Sequence, residues 1–374
     1  MLIRPELELD EYNEKGKGKY HIDIKLDIPE KVVAMSSGTS ESIFVITENG
    51  NVYCWGENTN GQLGLGHCQI IDTPEKNPYL KNIKQISTSS TFTLALDNDG
   101  QVYGFGSNRD FQISDKAEQY TFPEKVNDIP KIERIATTKN SSAVIDENGN
   151  VYTWGNNDFL QLGYEGKNGQ KPHKLDISTK FVDIIGGFGH VVLYDEDSFV
   201  WGFGSTYNGQ LGIGKDLENS LPVKTNQKAK KITAYHDVTV VIDENDRIYY
   251  SGYPLFDAKT KAVINKKIFS DFELIGMDKV KNVRIDNSYA VFERKNRGDL
   301  LLTGYHKPLI DLLGETPLTQ TDITKWMDDL SPIDSVIIAK SDEFVDYFVN
   351  SEGVFIIKQN GDLHKIWRHV EVDK

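Results

Sequence analysis

The sequence predicts an all-β fold, a seven-bladed β-propeller with four-stranded blades of about 50 residues. The first observation behind this prediction is a phrase that returns along the chain: a polar turn, an extended run, then an aromatic residue and glycine. A fixed period indicates a repeat architecture, in which each unit buries its apolar face against its neighbours. The closing glycines step by 50, 49, 49, 48 and 52 residues: Gly56, Gly106, Gly155, Gly204, Gly252 and Gly304.

Tight turns and β-rich runs are the second observation. Pairs such as Asn49-Gly50 and Asn148-Gly149 supply the positive φ angles that two-residue hairpin turns require. Short runs rich in β-branched and aromatic residues flank each turn, as in residues 42–47 and 51–55. A glycine-rich segment, clearest in residues 56–66, and a polar loop then lead to the next repeat. Each repeat therefore contains about four strands, the composition of a propeller blade.

The third observation concerns the two ends of the chain. Residues 20–28 alternate like a strand before the first repeat, whereas the seventh repeat stops after its third strand, near Val370. We therefore expect the N-terminal strand to close the ring, because closure protects the sheet edges. The predicted organisation is an N-terminal extension over residues 1–19 and a single propeller domain over residues 20–374. The long step after Gly304 indicates an insertion in blade 6 at about residues 305–333.

One aromatic slot recurs in each of the first four blades, at Trp55, Phe105, Trp154 and Phe203. Its regular recurrence predicts packing between blades. For Trp154 we expect burial between blades 3 and 4.

Composition limits the classes of function. The 374 residues carry a net charge of −14, with a pI near 5.1, which disfavours direct binding of nucleic acid. The two sparse cysteines, Cys54 and Cys68, are typical of a reducing compartment. No secretory signal and no membrane span are predicted. These features favour the cytoplasm or the nucleus, with a translocated bacterial effector in the host cytosol as the alternative.

Reactive groups do not converge in the sequence. The eight histidines are scattered, and neither a His-x-x-x-His nor a Cys-x-x-Cys pair gives metal-ligand spacing. The glycines of segments such as residues 61–66 have turn roles rather than the strand-to-helix context of a phosphate loop. We therefore predict no catalytic residues, no metal site and no cofactor.

The repeats resemble those of the regulator of chromosome condensation family. The phrase Val52-Tyr53-Cys54-Trp55-Gly56, followed by the Asn-Gly-Gln-Leu-Gly-Leu-Gly segment that ends at Gly66, carries the resemblance. It covers residues 31 to about 370. The resemblance implies seven-bladed propellers whose founding member exchanges guanine nucleotide on the small GTPase Ran.

That exchange branch carries Gly-x-x-His turns on its partner-binding face. Here the pattern stands only in blade 4, at Gly187-Phe188-Gly189-His190, with His236 and Asp237 in shifted register in blade 5. For His190 an alternative is a hydrogen bond between blades. Arg109 and Asp110 of blade 2 are similar to the sequence of a wedge that the exchange branch carries in its third blade.

The resulting expectation is a protein-binding face formed by the loops between the first and second strands of each blade. We expect residues 341–350 to lengthen this loop in blade 7, and the Gly-Gln-Leu-Gly hairpins to lie on the opposite face. Loops on a rigid scaffold are where repeat proteins vary and bind. The candidate partner contacts are Arg109, Asp110, Phe188, His190, His236, Asp237, Asp342, Glu343, Phe344 and Tyr347.

Two functions are compatible with these features. The first is a non-enzymatic interaction propeller that binds a small GTPase or a regulatory protein, as a monomer or as a heterodimer with that partner. The alternative is an active guanine-nucleotide exchange factor for a Ran-like GTPase, for example as a pathogen effector.

Overall fold

The structure, a computed structural model, describes residues 8–12, 17–37, 41–116, 118–213, 220–252, 269–274, 279–286, 289–304, 336–340, 342–350 and 353–373. Within these ranges all regular secondary structure is β-strand, and the strands form seven antiparallel sheets. The predicted seven-bladed β-propeller is confirmed. The predicted insertion at residues 305–333 lies outside the described residues.

Blades 1 to 4 each contain four strands that follow one another from the central channel outwards. Glycine turns and β-branched runs produce them where the sequence predicts. Blade 1 contains β3 (Val32–Ser37), β4 (Ile43–Thr47), β5 (Val52–Gly56) and β6 (Ile71–Lys76); blade 2 β7 (Ile83–Thr88), β8 (Phe92–Asp97), β9 (Val102–Ser107) and β10 (Gln119–Lys125); blade 3 β11 (Ile132–Thr137), β12 (Ser141–Asp146), β13 (Val151–Gly155) and β14 (Gly169–Lys174); blade 4 β15 (Phe181–Gly186), β16 (His190–Asp195), β17 (Phe199–Gly204) and β18 (Ser220–Lys228).

Blades 5 and 6 keep the same strand order although their repeat phrases have diverged, and blade 7 draws its outer strands from the N-terminus. Blade 5 contains β19 (Lys231–Tyr235), β20 (Val238–Ile242), β21 (Ile248–Gly252) and β22 (Phe269–Leu274); blade 6 β23 (Val280–Ile285), β24 (Tyr289–Arg294), β25 (Asp299–Gly304) and β26 (Val336–Lys340); blade 7 β27 (Phe344–Asn350), β28 (Gly353–Lys358), β29 (Leu363–Asp373), β2 (Lys17–Lys25) and β1 (Glu8–Tyr12).

The N-terminal strand closes the ring, as predicted. Strand β2 pairs antiparallel with β29, with Ile22 opposite Trp367 and Lys25 opposite His364. It begins before the predicted segment 20–28 and ends at Lys25. Strand β1, from the part of the chain predicted as an extension, adds to the outer edge of β2.

Glu30 fixes the segment that leads from the closing strand into blade 1. Its carboxylate accepts hydrogen bonds from Asn51 at 2.7 Å, from Tyr53 at 3.0 Å and from Lys76 at 2.8 Å. The Lys76 bond, followed by the other donors, lowers the pKa of Glu30 to about 2. The closing segment and blade 1 are therefore joined through an ionised carboxylate.

The core lies between blades. Each aromatic of the recurring slot packs against the blade that precedes its own: Phe105 joins the blade 1 cluster and Phe203 the blade 3 cluster. Trp154 is fully buried against Phe92 and Leu94 of blade 2. The expectation that Trp154 lies between blades 3 and 4 is wrong, because the side of the blade 3 sheet that carries Trp154 faces blade 2.

Candidate protein-binding face

Two kinds of connection share one face of the propeller. Because strands alternate in direction, the loops between first and second strands emerge at the same end as the hairpins between third and fourth strands. In blade 5 the carboxylate of Asp237, in a loop of the first kind, accepts hydrogen bonds from Asn208 (2.9 Å) and Gln210 (3.2 Å), in a hairpin of blade 4. The expectation that the Gly-Gln-Leu-Gly hairpins lie on the opposite face is therefore wrong. We call this end the mouth face and the other end the turn face.

Buried side-chain amides shape the hairpins of blades 1 to 4. In blade 1 the side-chain carbonyl of Asn58 accepts from the N–H of Leu63 at 2.9 Å, and that of Gln62 accepts from the N–H of Asn60 at 2.9 Å. Asn108 repeats the first bond with Ile113 at 2.7 Å in blade 2. These side chains are almost fully buried. The repeated asparagine and glutamine are thus explained by folding of the hairpin.

The hairpins of blades 1, 2 and 4 are each fixed to the next blade by a hydroxyl group. The carbonyl of Gln62 accepts a hydrogen bond from Thr93 of blade 2 at 2.8 Å. The carbonyl of Gln210 accepts one from Thr239 of blade 5 at 2.6 Å. Buried hydrogen bonds of this kind hold loops in one arrangement. The mouth face is therefore a fixed platform over these blades.

Four side chains meet where the central channel opens on this platform. Phe188 stacks on the His236 imidazole, with ring centroids 5.2 Å apart and an interplanar angle of 18°. The ammonium group of Lys139 lies 4.6 Å from the centroid of the same phenylalanine ring. Tyr235 packs against His236 at 5.6 Å. We call Lys139, Phe188, Tyr235 and His236 the mouth cluster.

The backbone holds the mouth cluster across three blades. The N–H of Lys139 donates to the carbonyl of Phe188 at 3.0 Å, and the N–H of Phe188 donates to the carbonyl of His236 at 2.9 Å. His236 has a φ of 48°, a left-handed conformation that is uncommon for a residue other than glycine. The side chains of Phe188 and His236 are partly exposed and that of Lys139 is exposed. Aromatic faces and a cation are therefore presented to solvent in a fixed geometry.

The sequence predicts Phe188, His236 and Asp237 at this site but does not reveal Lys139 or Tyr235. Lys139 stands two residues before Ser141, the blade 3 counterpart of His190, and Phe188 stands two residues before His190 itself. Aligning the loops of the two blades on Ser141 and His190 would have identified Lys139 as the blade 3 counterpart of Phe188.

His190 is not part of the exposed surface. It is fully buried, and its Nε2 lies 3.1 Å from the hydroxyl of Thr239 in blade 5. A side chain at Gly187 would collide with the imidazole ring, which explains the glycine of the Gly-x-x-His turn. Burial lowers the pKa of His190 to about 3. The expected partner contact is corrected to a neutral histidine that joins blades 4 and 5, the alternative that the sequence left open.

Arg109 and Asp110 lie on the mouth face, in the hairpin of blade 2. Arg109 is exposed. The carboxylate of Asp110 accepts hydrogen bonds from the side-chain amides of Asn156 and Asn168, each at 3.3 Å. Asp110 therefore links the blade 2 and blade 3 hairpins, whereas the neighbouring Arg109 is exposed.

The blade 7 residues are placed differently from the sequence expectation. Residues 344–350 are not a loop but strand β27, paired with β28 from Phe344 opposite Lys358 to Asn350 opposite Gly353. Phe344 and Tyr347 are buried in the cluster between blades 6 and 7, and burial raises the pKa of Tyr347. A β-bulge between Phe344 and Asp346 lets both side chains point inwards although they stand three residues apart, so neither is exposed to a partner.

Asp342 and Glu343 are exposed, but they precede β27 and therefore lie on the turn face. Glu343 accepts a hydrogen bond from the N–H of Lys340 at 3.1 Å. These two carboxylates are thus at the opposite end of the channel from the mouth cluster.

Metal and membrane features complete the description of the site. Within the described ranges, no group of three or more histidine, cysteine, aspartate or glutamate residues is placed to hold a metal ion. The same part of the chain contains no helix long and apolar enough to cross a membrane.

The fold and its repeated hairpins define a seven-bladed propeller of the chromosome-condensation-regulator type. The chain belongs to the RCC1-like domain family, which matches residues 12–255.

Several known proteins are similar to parts of this chain. The human X-linked retinitis pigmentosa GTPase regulator is 37% identical over 107 residues, which cover 26% of this chain and 10% of that protein. The Arabidopsis thaliana ultraviolet-B receptor UVR8 is 28% identical over 235 residues, 59% of this chain and 53% of the receptor. A mouse RCC1-like G exchanging factor-like protein is 35% identical over 91 residues, 24% of this chain and 20% of that protein. The matched segments thus span from about a tenth to about half of these relatives.

Solved structures agree with the fold over most of the chain. Human WBSCR16 has a TM-score of 0.70 at 16% identity and covers 92% of this chain and 88% of its own. Prp20p from Saccharomyces cerevisiae, described for its binding to Gsp1p and histones, has a TM-score of 0.68 at 18% identity, with 91% and 83% covered. At these identities the likeness shows the fold alone.

Proposed function

We propose that this chain is a non-enzymatic interaction propeller that binds a small GTPase or a protein that regulates one. The mouth cluster is the observation that carries the proposal. Partly exposed aromatic rings beside a lysine, on a hydrogen-bonded platform, have the composition of a protein interface centre. Arg109 and Asp237 supply a charged rim around it.

The choice of partner is supported by two relatives. One is described as a GTPase regulator and another as G exchanging factor-like. No covalent chemistry is needed for either role, in agreement with a site made of aromatic and charged side chains. A binding platform also requires the loops to be fixed before the partner arrives, since ordering them would cost affinity.

Binding to Ran, in its nucleotide-free, GDP and GTP forms, tests the proposal. We expect Phe188→Ala and His236→Ala to weaken binding by about tenfold or more, as truncation of central interface residues does. Phe122→Ala is the matched control, because Phe122 is an exposed aromatic on the outer edge of blade 2. Unchanged affinity of both mouth variants, or an equal loss with Phe122→Ala, would contradict the proposal.

The exchange-factor alternative is separated by a second assay. Release of a fluorescent guanine nucleotide from Ran is followed with and without the full chain. Binding without faster release supports the interaction propeller. Faster release that Phe188→Ala abolishes would identify the same face as an exchange site.

A further inference from the structure

The central channel contains a cavity beneath the mouth cluster. It has a volume of about 310 Å³ and is walled by the first strands of all seven blades. This is the lower end of the size range of small-molecule sites and is too small for a folded protein element. Seven serine and threonine residues lie in its wall: Ser36, Ser87, Thr88, Ser89, Thr137, Thr138 and Thr233.

The fixed charges in this wall are positive. Among the described lining residues, Lys139 at the mouth and Arg284 deeper in the channel are the only lysine or arginine side chains, and none is an aspartate or glutamate, although Arg284 forms an ion pair with Asp346. This contrasts with a whole-chain charge of −14. A cationic, hydroxyl-rich wall in an acidic protein favours a small anion over a cation.

Arg284 has donors to spare. Its Nη2 forms an ion pair with a carboxylate oxygen of Asp346 at 3.7 Å, which is too long for a hydrogen bond. Its Nε is buried without a hydrogen-bond partner among the described residues. The guanidinium also lies 5.9 Å from the centroid of the Phe348 ring, which restricts its movement. A guanidinium held in this way can bind a phosphate or carboxylate through two of its five N–H groups.

We propose that the upper channel binds a small phosphorylated polyol, of the size of a pentose phosphate. Arg284 holds the phosphate, and the serine and threonine hydroxyls exchange hydrogen bonds with the hydroxyls of the polyol. Tyr235 and Lys139 line the entrance. The site goes beyond the proposed partner binding, because Arg284 lies inside the channel rather than in the mouth cluster.

Calorimetric titration of the full chain tests the site with three probes: ribose 5-phosphate, ribose and inorganic phosphate. We expect ribose 5-phosphate to bind more tightly than either of the others and to raise the melting temperature. Arg284→Gln should weaken it about tenfold or more. The matched control is Arg134→Gln, since Arg134 pairs with Asp183 at 3.6 Å and does not line the upper cavity.

Two outcomes would overturn the proposal: no binding of ribose 5-phosphate up to ~10 mM, or equal binding by wild type and Arg284→Gln. If inorganic phosphate bound as tightly as ribose 5-phosphate, the polyol part of the proposal would be contradicted. The melting temperature of Arg284→Gln without ligand checks its folding. Its binding to Ran should equal that of wild type, so failure of the channel site and failure of the proposed function are distinguishable.

Discussion

Blades 1–3 and blade 5 solve the same problem on the turn face with different residues. In blades 1 and 3 the turn between second and third strands contains Gly50 and Gly149 at φ of 71° and 78°, and in blade 5 the same position is Asp246 at φ of 64°. The carbonyl of Gly50 accepts a hydrogen bond from Ile83 of the next blade at 3.0 Å, and that of Asp246 accepts one from Val280 at 3.0 Å. The turn of blade 5 therefore keeps the backbone conformation and the hydrogen bond of blade 1, although its sequence departs from the repeated phrase.

A charged network accompanies the change from glycine to aspartate. The nearly buried carboxylate of Asp246 accepts hydrogen bonds from Lys230 and, at 2.7 Å, from Lys295 of blade 6. These two lysines lower the pKa of Asp246 to about 2. A side chain in the left-handed conformation costs free energy that glycine does not, and the ion pairs offset it. The turn of blade 5 is therefore stabilised by ion pairs of Asp246, whereas blades 1 and 3 have a glycine at the same position.

The aromatic slot shows the same contrast. Trp154 fills it in blade 3, whereas blade 5 has Ser251, whose hydroxyl donates to the carbonyl of Gln210 at 3.2 Å. Both residues are fully buried and both contact the preceding blade. One region is joined by apolar volume and the other by a hydrogen bond.

The largest expected effect comes from emptying this slot. Trp154→Ala should lower the free energy of unfolding by about 3–5 kcal/mol, because a cavity is left between blades 2 and 3. Ser251→Ala should cost only about 1 kcal/mol, the value of one neutral hydrogen bond. Urea unfolding of both variants measures the difference. Equal losses would mean that the two blades are joined in the same way.

His190 should give the chain a pH dependence that is located at the junction of blades 4 and 5. Its pKa is about 3 when folded and about 6.5 when unfolded. Between these values the unfolded chain binds the proton and the folded chain does not, so stability decreases as the pH falls below 6.5. From pH 7.5 to 5.5 the contribution is about 1.4 kcal/mol.

Substitution of His190 by glutamine should remove this contribution. The loss of unfolding free energy between pH 7.5 and 5.5 should be smaller in His190→Gln than in wild type by that amount. Urea unfolding at the two pH values is the measurement. The same pH dependence in both proteins would show that His190 is protonated in the folded state or that the imidazole is solvated.

Asp246 gives the sharpest test of the turn-face comparison. Asp246→Ala should destabilise by about 1–2 kcal/mol, because the ion pairs are lost while the left-handed strain remains. Asp246→Gly should cost less, since glycine adopts the conformation freely. Equal effects of alanine and glycine in thermal unfolding would exclude backbone strain as the reason for the ion pairs.

Local signals were sufficient to predict the fold. Alternating β-branched runs, Asn-Gly pairs such as Asn148-Gly149 and the fixed period each specify strands and turns within one repeat. The alternation of residues 20–28 likewise indicated a strand, and its position before the first repeat indicated ring closure. Even blades 5 to 7 retain strands where the phrase has faded, because alternation outlasts the identity of single residues.

The site depended on long-range geometry and was predicted only in part. Phe188 and His236 were found through a loop motif, but Lys139 joins them through contacts between blades: a backbone hydrogen bond to Phe188 and a cation–π contact with its ring. The sequence prediction placed Asp342–Tyr347 in a loop. The same mixture of acidic and aromatic residues is also compatible with a strand. Pairing with Lys358, which no local pattern reveals, decides that Phe344 begins β27.

Hydrogen exchange of the full chain in the presence and absence of Ran tests the central claim most directly. We expect slower exchange on binding in the mouth-face peptides that contain Lys139, Phe188 and residues 235–237. Turn-face peptides around Asn49, Asp99 and residues 342–343 should be unchanged. Protection confined to the turn face, or to the outer edges of the blades, would contradict the assignment of the mouth face as the binding surface.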